Sequence, residues 1–186
     1  MSALQRIALL ALAISLLALP AWAATKAGDK EIGGQISVGT TTSSVEGGGS
    51  VTNTTTAILA SFGYFTTKAL QVGGSVAMQG LKSDDAETSF TFLEGFVKYH
   101  FNTDTTTVPY VGALLGTVAV KFSSGAESES ASGTTIGAMA GVKFFRTEDL
   151  SINAEYNIRN FTITIAGADA TSTTGTALVG LSYYFR

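Results

Sequence analysis

The amino-acid sequence predicts an all-β fold in which eight antiparallel strands close into an up-and-down transmembrane β-barrel. Apolar residues recur at every second position in eight segments, so each predicted strand has one apolar face and one mixed face. Short turns alternate with long segments rich in Gly, Ser, Thr and acidic residues, as they do on the two sides of a membrane barrel. Charged residues within the strands lie almost wholly on the mixed face, which favours lipid outside and polar groups inside.

The first 23 residues predict a secretory signal peptide, which leaves residues 24–186 as the barrel domain. Arg6 precedes an apolar run at residues 7–19, and Ala21-Trp22-Ala23 forms a cleavage site of the A-x-A type. As a helix this run would rise only about 20 Å, whereas the hydrocarbon core of a bilayer is about 30 Å thick. No cysteine follows the run, which excludes a lipid-anchored lipoprotein as well as disulfide and thiol chemistry.

Strands one to four alternate as the barrel requires, with their apolar faces directed outward. Residues 40–53 and 81–87 have no apolar periodicity and are predicted to be exposed loops, whereas residues 66–69 form a tight turn. The predicted outward apolar residues are Ile32, Ile36 and Val38 in strand one, Ile58, Ala60, Phe62 and Tyr64 in strand two, Leu70, Val72, Val76 and Met78 in strand three, and Leu93, Val97, Tyr99 and Phe101 in strand four.

Strands five to eight follow the same rule, with loops predicted at residues 123–133 and 167–173. Both parities of strand five are largely apolar; we place Gly112 and Gly116 inward. In strand seven the apolar parity changes after Asn160, which predicts either a bulge or an extension of the strand above the membrane. The predicted outward residues are Val111, Ala113 and Leu115, then Ile136, Ala138, Ala140, Val142 and Phe144, then Leu150, Ile152, Ala154, Tyr156 and Ile158, and finally Ala177, Val179, Leu181, Tyr183 and Phe185.

Aromatic residues mark one end of the apolar faces. A soluble eight-stranded barrel or sandwich would also show the period of two, with the apolar series inside. The clustering of aromatics at one end instead indicates an interfacial girdle, as in a membrane barrel. The girdle residues are Tyr64, Tyr99, Phe101, Phe144, Tyr183 and Phe185.

Two segments carry a resemblance to a known family. Residues 180–185 (GLSYYF), and residues 99–101 (YHF) with residues 108–112 (VPYVG), are similar to segments of the small eight-stranded outer-membrane barrels of the OmpA/OmpX and opacity-protein type. The resemblance implies a Gram-negative outer membrane and a C-terminal strand that the barrel-assembly machinery recognises. On this chain the recognition residues would be Leu181, Tyr183 and Phe185, with Arg186 following the final aromatic.

The inward series contains three charges of each sign, which an interior filled by side chains must pair. Glu94 and Lys98 on one strand are about 13 Å apart, so partners must come from other strands. Across the turn at residues 146–149, we expect Lys143 to lie opposite Asn153, with Glu155 as its diagonal neighbour. We interpret the network as a structural plug, with a gated narrow conductance as the alternative. Its members are Glu31, Glu94, Lys98, Lys143, Glu155 and Arg159.

Catalytic and metal chemistry have little support in the sequence. His100 is the chain's one histidine and is interpreted as packed polar filler on the inward face. A lipid-modifying barrel enzyme would need Ser or Asp beside a histidine within reach of lipid, and no such spacing surrounds His100. One histidine without cysteine also gives no metal site, so no enzyme activity, metal or cofactor is expected.

An acidic cluster occupies the predicted loops, where a single cation, Lys82, accompanies it. The cluster is interpreted as a solvated surface, or as carboxylates that share divalent cations with lipopolysaccharide. Its sign opposes direct binding of heparin-like polyanions, and Gly47–Gly49 is a loop tip rather than a phosphate cradle. The acidic residues are Glu46, Asp84, Asp85, Glu87, Glu127, Glu129 and Asp169.

These patterns predict a monomeric outer-membrane barrel that stabilises the membrane or interacts at the cell surface through its external loops. A narrow small-solute channel and a lipid A-modifying enzyme are the two alternatives. The expected partners are outer-membrane lipid and lipopolysaccharide, the barrel-assembly machinery, and an extracellular ligand of unknown identity. Nucleic acid is not expected, because the formal net charge of −3 becomes −4 when Arg6 leaves with the signal peptide.

Overall fold

A computed structural model describes residues 25–44, 50–83, 86–124, 127–165 and 168–186. Eight strands close into one antiparallel barrel in chain order, with β8 paired back to β1, which confirms the predicted fold class. No helix in the described ranges is long and apolar enough to cross a bilayer. The strands are β1 (Lys30–Ser44), β2 (Ser50–Phe65), β3 (Leu70–Ser83), β4 (Ala86–His100), β5 (Thr107–Ser124), β6 (Glu127–Thr147), β7 (Leu150–Ile165) and β8 (Ala168–Phe185).

The alternation of side chains follows the prediction in every strand. Leu115 on β5 is 65% exposed, whereas its neighbours Leu114 and Val118 on the inward parity are buried, so the placement of strand five is confirmed. The exposed apolar side chains of all eight strands form a continuous belt around the barrel. The outer edge of this apolar belt runs through Ile58, Met78, Leu93, Leu115, Ile136, Ile158 and Ala177.

The strands are longer than predicted, because most of the expected loop residues continue the sheet. β1 and β2 stay paired from Thr40↔Thr54 to Ser44↔Ser50, and β6 begins at Glu127. The predicted loops at residues 40–53, 81–87, 123–133 and 167–173 were therefore wrong in extent. These segments lack apolar periodicity, yet threonine is a good strand former and backbone pairing requires no apolar side chains.

The parity change in β7 is an extension of the strand and not a bulge. Asn160 pairs with Ile136 on one side and with Thr173 on the other, and the register continues past it without a shift. Phe161 and Ile163 are buried inside the barrel. The described register irregularity on β6 lies instead at the opposite end of the strand, between Phe145 and Thr147.

The two chain ends meet at the aromatic end of the barrel. Lys30 pairs with Phe185, and the Tyr183 and Phe185 rings form an edge-on pair with centroids 4.9 Å apart. The Arg186 guanidinium donates to a Glu148 carboxylate oxygen at 2.5 Å in the β6–β7 turn. This end therefore carries the short turns and the girdle, which identifies it as the periplasmic end.

The β1–β8 seam is the shortest in the barrel. Its register joins seven residue pairs, from Lys30↔Phe185 to Ile36↔Val179, whereas β5 and β6 share eighteen. Beyond Ile36, the described part of β1 pairs with β2 alone, and the part of β8 before Val179 pairs with β7 alone. Closure of the cylinder therefore depends on the part of the seam that lies within the apolar belt.

Candidate functional site: the barrel interior

The six charged residues predicted for the lumen all lie there and form three ion pairs. We call this set the charged layer: Glu31 with Lys143, Lys98 with Glu155, and Glu94 with Arg159. Each pair joins strands that are three positions apart around the barrel, β1 with β6 or β4 with β7. The pairs therefore reach across the lumen instead of along the wall.

Glu31 accepts hydrogen bonds from three other strands. Its carboxylate pairs with the Lys143 ammonium, and Gln71 Nε2 donates to its Oε2 at 2.8 Å. Ser182 Oγ donates to Oε1 at 2.6 Å, and Asn153 Nδ2 donates to that serine oxygen at 2.6 Å. A buried carboxylate needs this number of donors, because an unpaired one would cost several kcal/mol (about 3–5).

The second pair includes a tyrosine. Lys98 Nζ lies 2.9 Å from Glu155 Oε2, and Tyr110 Oη donates to the same oxygen at 2.6 Å. The Lys98 ammonium also lies 4.7 Å from the centroid of the Phe96 ring. This cation is thus held by a carboxylate and an aromatic face, which together replace its water shell.

The third pair is a fork-on-fork contact between Arg159 and Glu94. Arg159 Nε donates to Oε1 at 2.9 Å, and Nη2 donates to Oε2 at 3.0 Å. Two parallel bonds match the planar guanidinium to the carboxylate and fix the orientation of both side chains. The guanidinium carbon lies 5.2 Å from the centroid of the Phe92 ring, at the upper boundary of the charged layer.

The register predicted across the β6–β7 turn is confirmed, but the diagonal neighbours Lys143 and Glu155 do not form an ion pair with each other. Lys143 does lie opposite Asn153, with Glu155 as the diagonal position. Both side chains, however, extend into the lumen and meet residues of more distant strands, Glu31 and Lys98. A lysine stem is long enough to cross an eight-stranded lumen, so neighbours on the wall do not decide its partner.

Glycine on the inward face makes room for these long side chains. A Cβ at Gly63 would collide with the Gln71 amide, which must reach Glu31. A Cβ at Gly141 would lie 2.5 Å from Tyr110 Oη, which must reach Glu155. The network therefore depends on glycines, which leave space, as well as on the polar side chains that fill it.

Above the charged layer, toward the long hairpins, the lumen is filled by apolar side chains. The Phe92 and Phe161 rings pack edge-on with centroids 5.8 Å apart, and Phe90 contacts both. We call this cluster the apolar plug. It comprises the buried residues Ala57, Leu59, Ala77, Phe92, Val118, Val120, Phe161, Ile163 and Leu178, with Phe90, Phe122 and Ala131 packed against them.

Side chains fill the interior at both levels. Between the charged layer and the apolar plug there is a cavity of about 10 Å³, bordered by Ser61, Lys98 and Asn157 among others. That volume holds about one water molecule. Tyr110, Lys143 and Phe92 are among the largest fully buried side chains. These buried side chains occupy the part of the lumen through which a wide solute pathway would have to run.

His100 lies at the periplasmic end of the lumen between two aromatic rings. Its ring centroid is 5.1 Å from that of Phe65 and 5.3 Å from that of Tyr110. Neither imidazole nitrogen has a hydrogen-bond partner, and the side chain is buried. The arrangement agrees with packed filler, and no Ser or Asp among the described residues forms a hydrogen bond with the imidazole.

The predicted acidic cluster is only partly described. Glu87 and Glu129 are exposed on β4 and β6, while Glu127 and Asp169 lie within β6 and β8, so these four residues belong to strands and not to loops. Glu46, Asp84 and Asp85 lie outside the described residues, as does residue range 1–23, where the signal peptide is predicted. Within the described ranges, no three His, Cys, Asp or Glu residues are grouped to hold a metal ion.

Several members of the polar interior were not singled out from the sequence. Tyr110, Gln71 and Ser182 each donate to a carboxylate of the charged layer. Their inward parity was the available signal, since each sits between outward apolar neighbours. By contrast, Leu181, Tyr183 and Phe185 lie on the outer face of β8, exposed toward lipid, where their role as an assembly signal stays a prediction.

Comparisons with known proteins agree with this architecture. The family model "Outer membrane protein beta-barrel domain" matches residues 9–185. The chain is similar to Neisserial surface protein A, with 17% identity, 85% of this chain and 97% of that chain covered, and a TM-score of 0.64. It is also similar to Ail, the attachment invasion locus protein of Yersinia pestis, with 22% identity, coverage of 85% and 99%, and a TM-score of 0.54.

The outer membrane protein OprG from Pseudomonas aeruginosa shows 15% identity, with coverage of 88% and 98% and a TM-score of 0.53. No protein among the curated sequences matches the chain. Identities this low show a shared fold and leave individual roles open. The match over nearly the whole chain, together with the closed eight-stranded barrel, shows that this chain belongs to the outer-membrane β-barrel domain family and is an integral protein of the outer membrane.

Proposed function

We propose that this protein is a non-conducting barrel that holds extended hairpins above the outer membrane for contacts at the cell surface. The observation that carries the proposal is the length of the strands beyond the apolar belt. β5 continues nine residues past Leu115 to Ser124, and β6 begins nine residues before Ile136 at Glu127. At about 3.3 Å per residue, this paired ribbon is about 30 Å long.

The outer surface of these extensions is polar, which suits a segment that is surrounded by water. Ser130, Ser132 and Thr134 on β6 are exposed, where the belt below them exposes Ile136. Hydroxyl groups on this ribbon offer hydrogen bonds, and the β5 side of the ribbon stays paired with β4 as far as Ser123. Such a surface suits contacts with polar molecules outside the cell, and its carboxylates, Glu87 and Glu129, suit shared divalent cations.

Shortening one hairpin tests this function. Deleting residues 120–131 and bridging Ala119 and Ser132, which are paired in the sheet, with an Asn-Gly turn keeps the belt and the charged layer intact but removes Val120, Phe122 and Ala131 from the apolar plug. Cells that carry the variant are expected to adhere less to abiotic and host-matrix surfaces than cells that carry the full barrel. A matched variant with the same residues replaced by an alternating Ser/Thr ribbon separates length from sequence. Unchanged adhesion for both variants would contradict the proposal.

The channel alternative is tested by planar-bilayer recording of the refolded full chain. Because the charged layer and the apolar plug fill the lumen in series, we expect flat current traces at voltages up to 100 mV. Reproducible current steps would show that one of the two layers opens. The enzyme alternative receives no support from His100, and incubation with labelled lipopolysaccharide is expected to release no acyl chains.

A further inference from the structure

The lipid-facing side of β2, β3 and β4 contains a groove at the outer edge of the apolar belt. Its volume is about 310 Å³. Two registered rows of residues cross the three strands here, an upper row of Thr56, Gly80 and Ser89 and a lower row of Ile58, Met78 and Thr91. The groove is therefore a local depression in the lipid-facing surface.

Gly80 creates the depression by lacking a side chain. A Cβ at this position would meet only Thr56 Oγ1, at an ordinary 3.5 Å, and Gly80 does not have a positive φ. Neither crowding nor backbone conformation thus requires glycine at residue 80. This distinguishes Gly80 from the inward glycines, whose missing side chains make room within the lumen.

The lining of the groove is apolar at its lower end and polar at its upper end. Ile58 and Met78 form an exposed apolar floor that continues into Val76 and Leu93 of the belt below. The upper rim carries the hydroxyl groups of Thr56 and Ser89, with a third at Thr91, and none of them bonds to another described residue. An occupant that offers a hydrocarbon chain below and hydrogen-bonding groups above therefore matches this lining.

One cation lies beside the rim. Lys121 on β5 is registered opposite Ser89 and is exposed on the same outer face. Glu87, two residues before Ser89 on this face, would repel an anion placed directly above the groove. An anionic headgroup is thus expected on the Lys121 side, within reach of its ammonium.

We propose that this groove binds one acyl chain of lipopolysaccharide and holds that molecule longer than the surrounding lipid. The chain would lie on Ile58 and Met78, its ester or amide carbonyl would accept hydrogen bonds from the hydroxyl rim, and a phosphate would face Lys121. The groove sits at the height where outer-leaflet acyl chains meet their headgroups, because the belt ends there. This site does not depend on the hairpin function proposed above.

Filling the groove tests the proposal. The full-length barrel, extracted from outer membranes in mild detergent, is expected to retain one lipopolysaccharide molecule by native mass spectrometry. Gly80→Phe is expected to lower this retention at least fivefold. Gly74→Phe is the matched control, because Gly74 also faces lipid on β3 and its Cβ would meet only the Glu94 carbonyl oxygen, at 3.6 Å. Equal retention by wild type and Gly80→Phe, or equal loss in both variants, would overturn the proposal.

A second pair of variants keeps the test decisive if Gly80→Phe fails to fold, as judged by heat-modifiable gel mobility. Thr56→Val with Ser89→Ala removes two rim hydroxyls and is expected to lower retention about threefold, a loss of about 0.7 kcal/mol. Lys121→Gln is expected to weaken retention of phosphorylated lipid A and to leave dephosphorylated lipid A unaffected. No change with either variant would overturn the site, and loss of both lipid forms with Lys121→Gln would overturn the phosphate contact.

Discussion

The charged layer and the apolar plug close the same cylinder by opposite chemistry. In the charged layer Glu94 and Arg159 meet by two hydrogen bonds, and lipid-facing apolar residues surround that level from outside. In the apolar plug Phe161 and Ile163 are buried, and the outer face carries Thr162 and other hydroxyl side chains. The polarity of the wall therefore reverses along a single strand.

This reversal has a physical cause. Inside the bilayer the outward side chains contact hydrocarbon and are apolar. The polar groups therefore lie in the lumen, where they must be paired. Above the bilayer water is outside, and the hydrophobic effect places apolar residues inward as in a soluble barrel. The change of parity after Asn160 marks the height at which the solvent around the barrel changes.

Breaking one ion pair should have the largest effect. Arg159→Met leaves the Glu94 carboxylate buried without its partner, and we expect a loss of about 3–5 kcal/mol in the free energy of unfolding. Urea titration of the barrel in lipid vesicles measures it. The double variant Glu94→Leu with Arg159→Met should recover most of the loss, since no charge is then unpaired. A double variant as unstable as the single one would show that the pair itself, and not charge burial, sets the cost.

Opening a space in the apolar plug should cost somewhat less. Ile163→Ala removes buried methyl and methylene groups, and we expect a loss of about 2–5 kcal/mol under the same conditions. Thr134→Ala on the exposed outer face is the control and should change stability by less than about 0.5 kcal/mol. If Ile163→Ala behaved like the control, the upper lumen would not be a packed core.

A charged substitution on the outer face distinguishes the level inside the bilayer from the level above it. Leu181→Arg places a cation in the middle of the belt on β8, and we expect a loss of about 2–4 kcal/mol. Ser132→Arg lies above the belt on β6 and should cost no more than about 1 kcal/mol. Equal costs for both substitutions would mean that Ser132 is also surrounded by lipid, and the height assigned to the belt would be wrong.

The sequence predicted the strand count, the inward and outward faces and the six luminal charges, because all of these follow from a period of two. It did not predict the strand ends, since Thr- and Ser-rich pairing such as Thr40↔Thr54 has no apolar signature. It also could not assign the ion pairs. The partners of Lys143 and Lys98 lie across the lumen on strands three positions away, and no local spacing encodes that distance.

The sequence by itself determined which side of each strand meets lipid, because alternation is a property of the extended backbone and needs no partner. Only the tertiary structure decided which charges meet, where the lumen changes from ionic to apolar, and where a missing side chain leaves a groove on the outer wall. These features arise from closure and stagger of the strands, which bring together residues from distant parts of the chain.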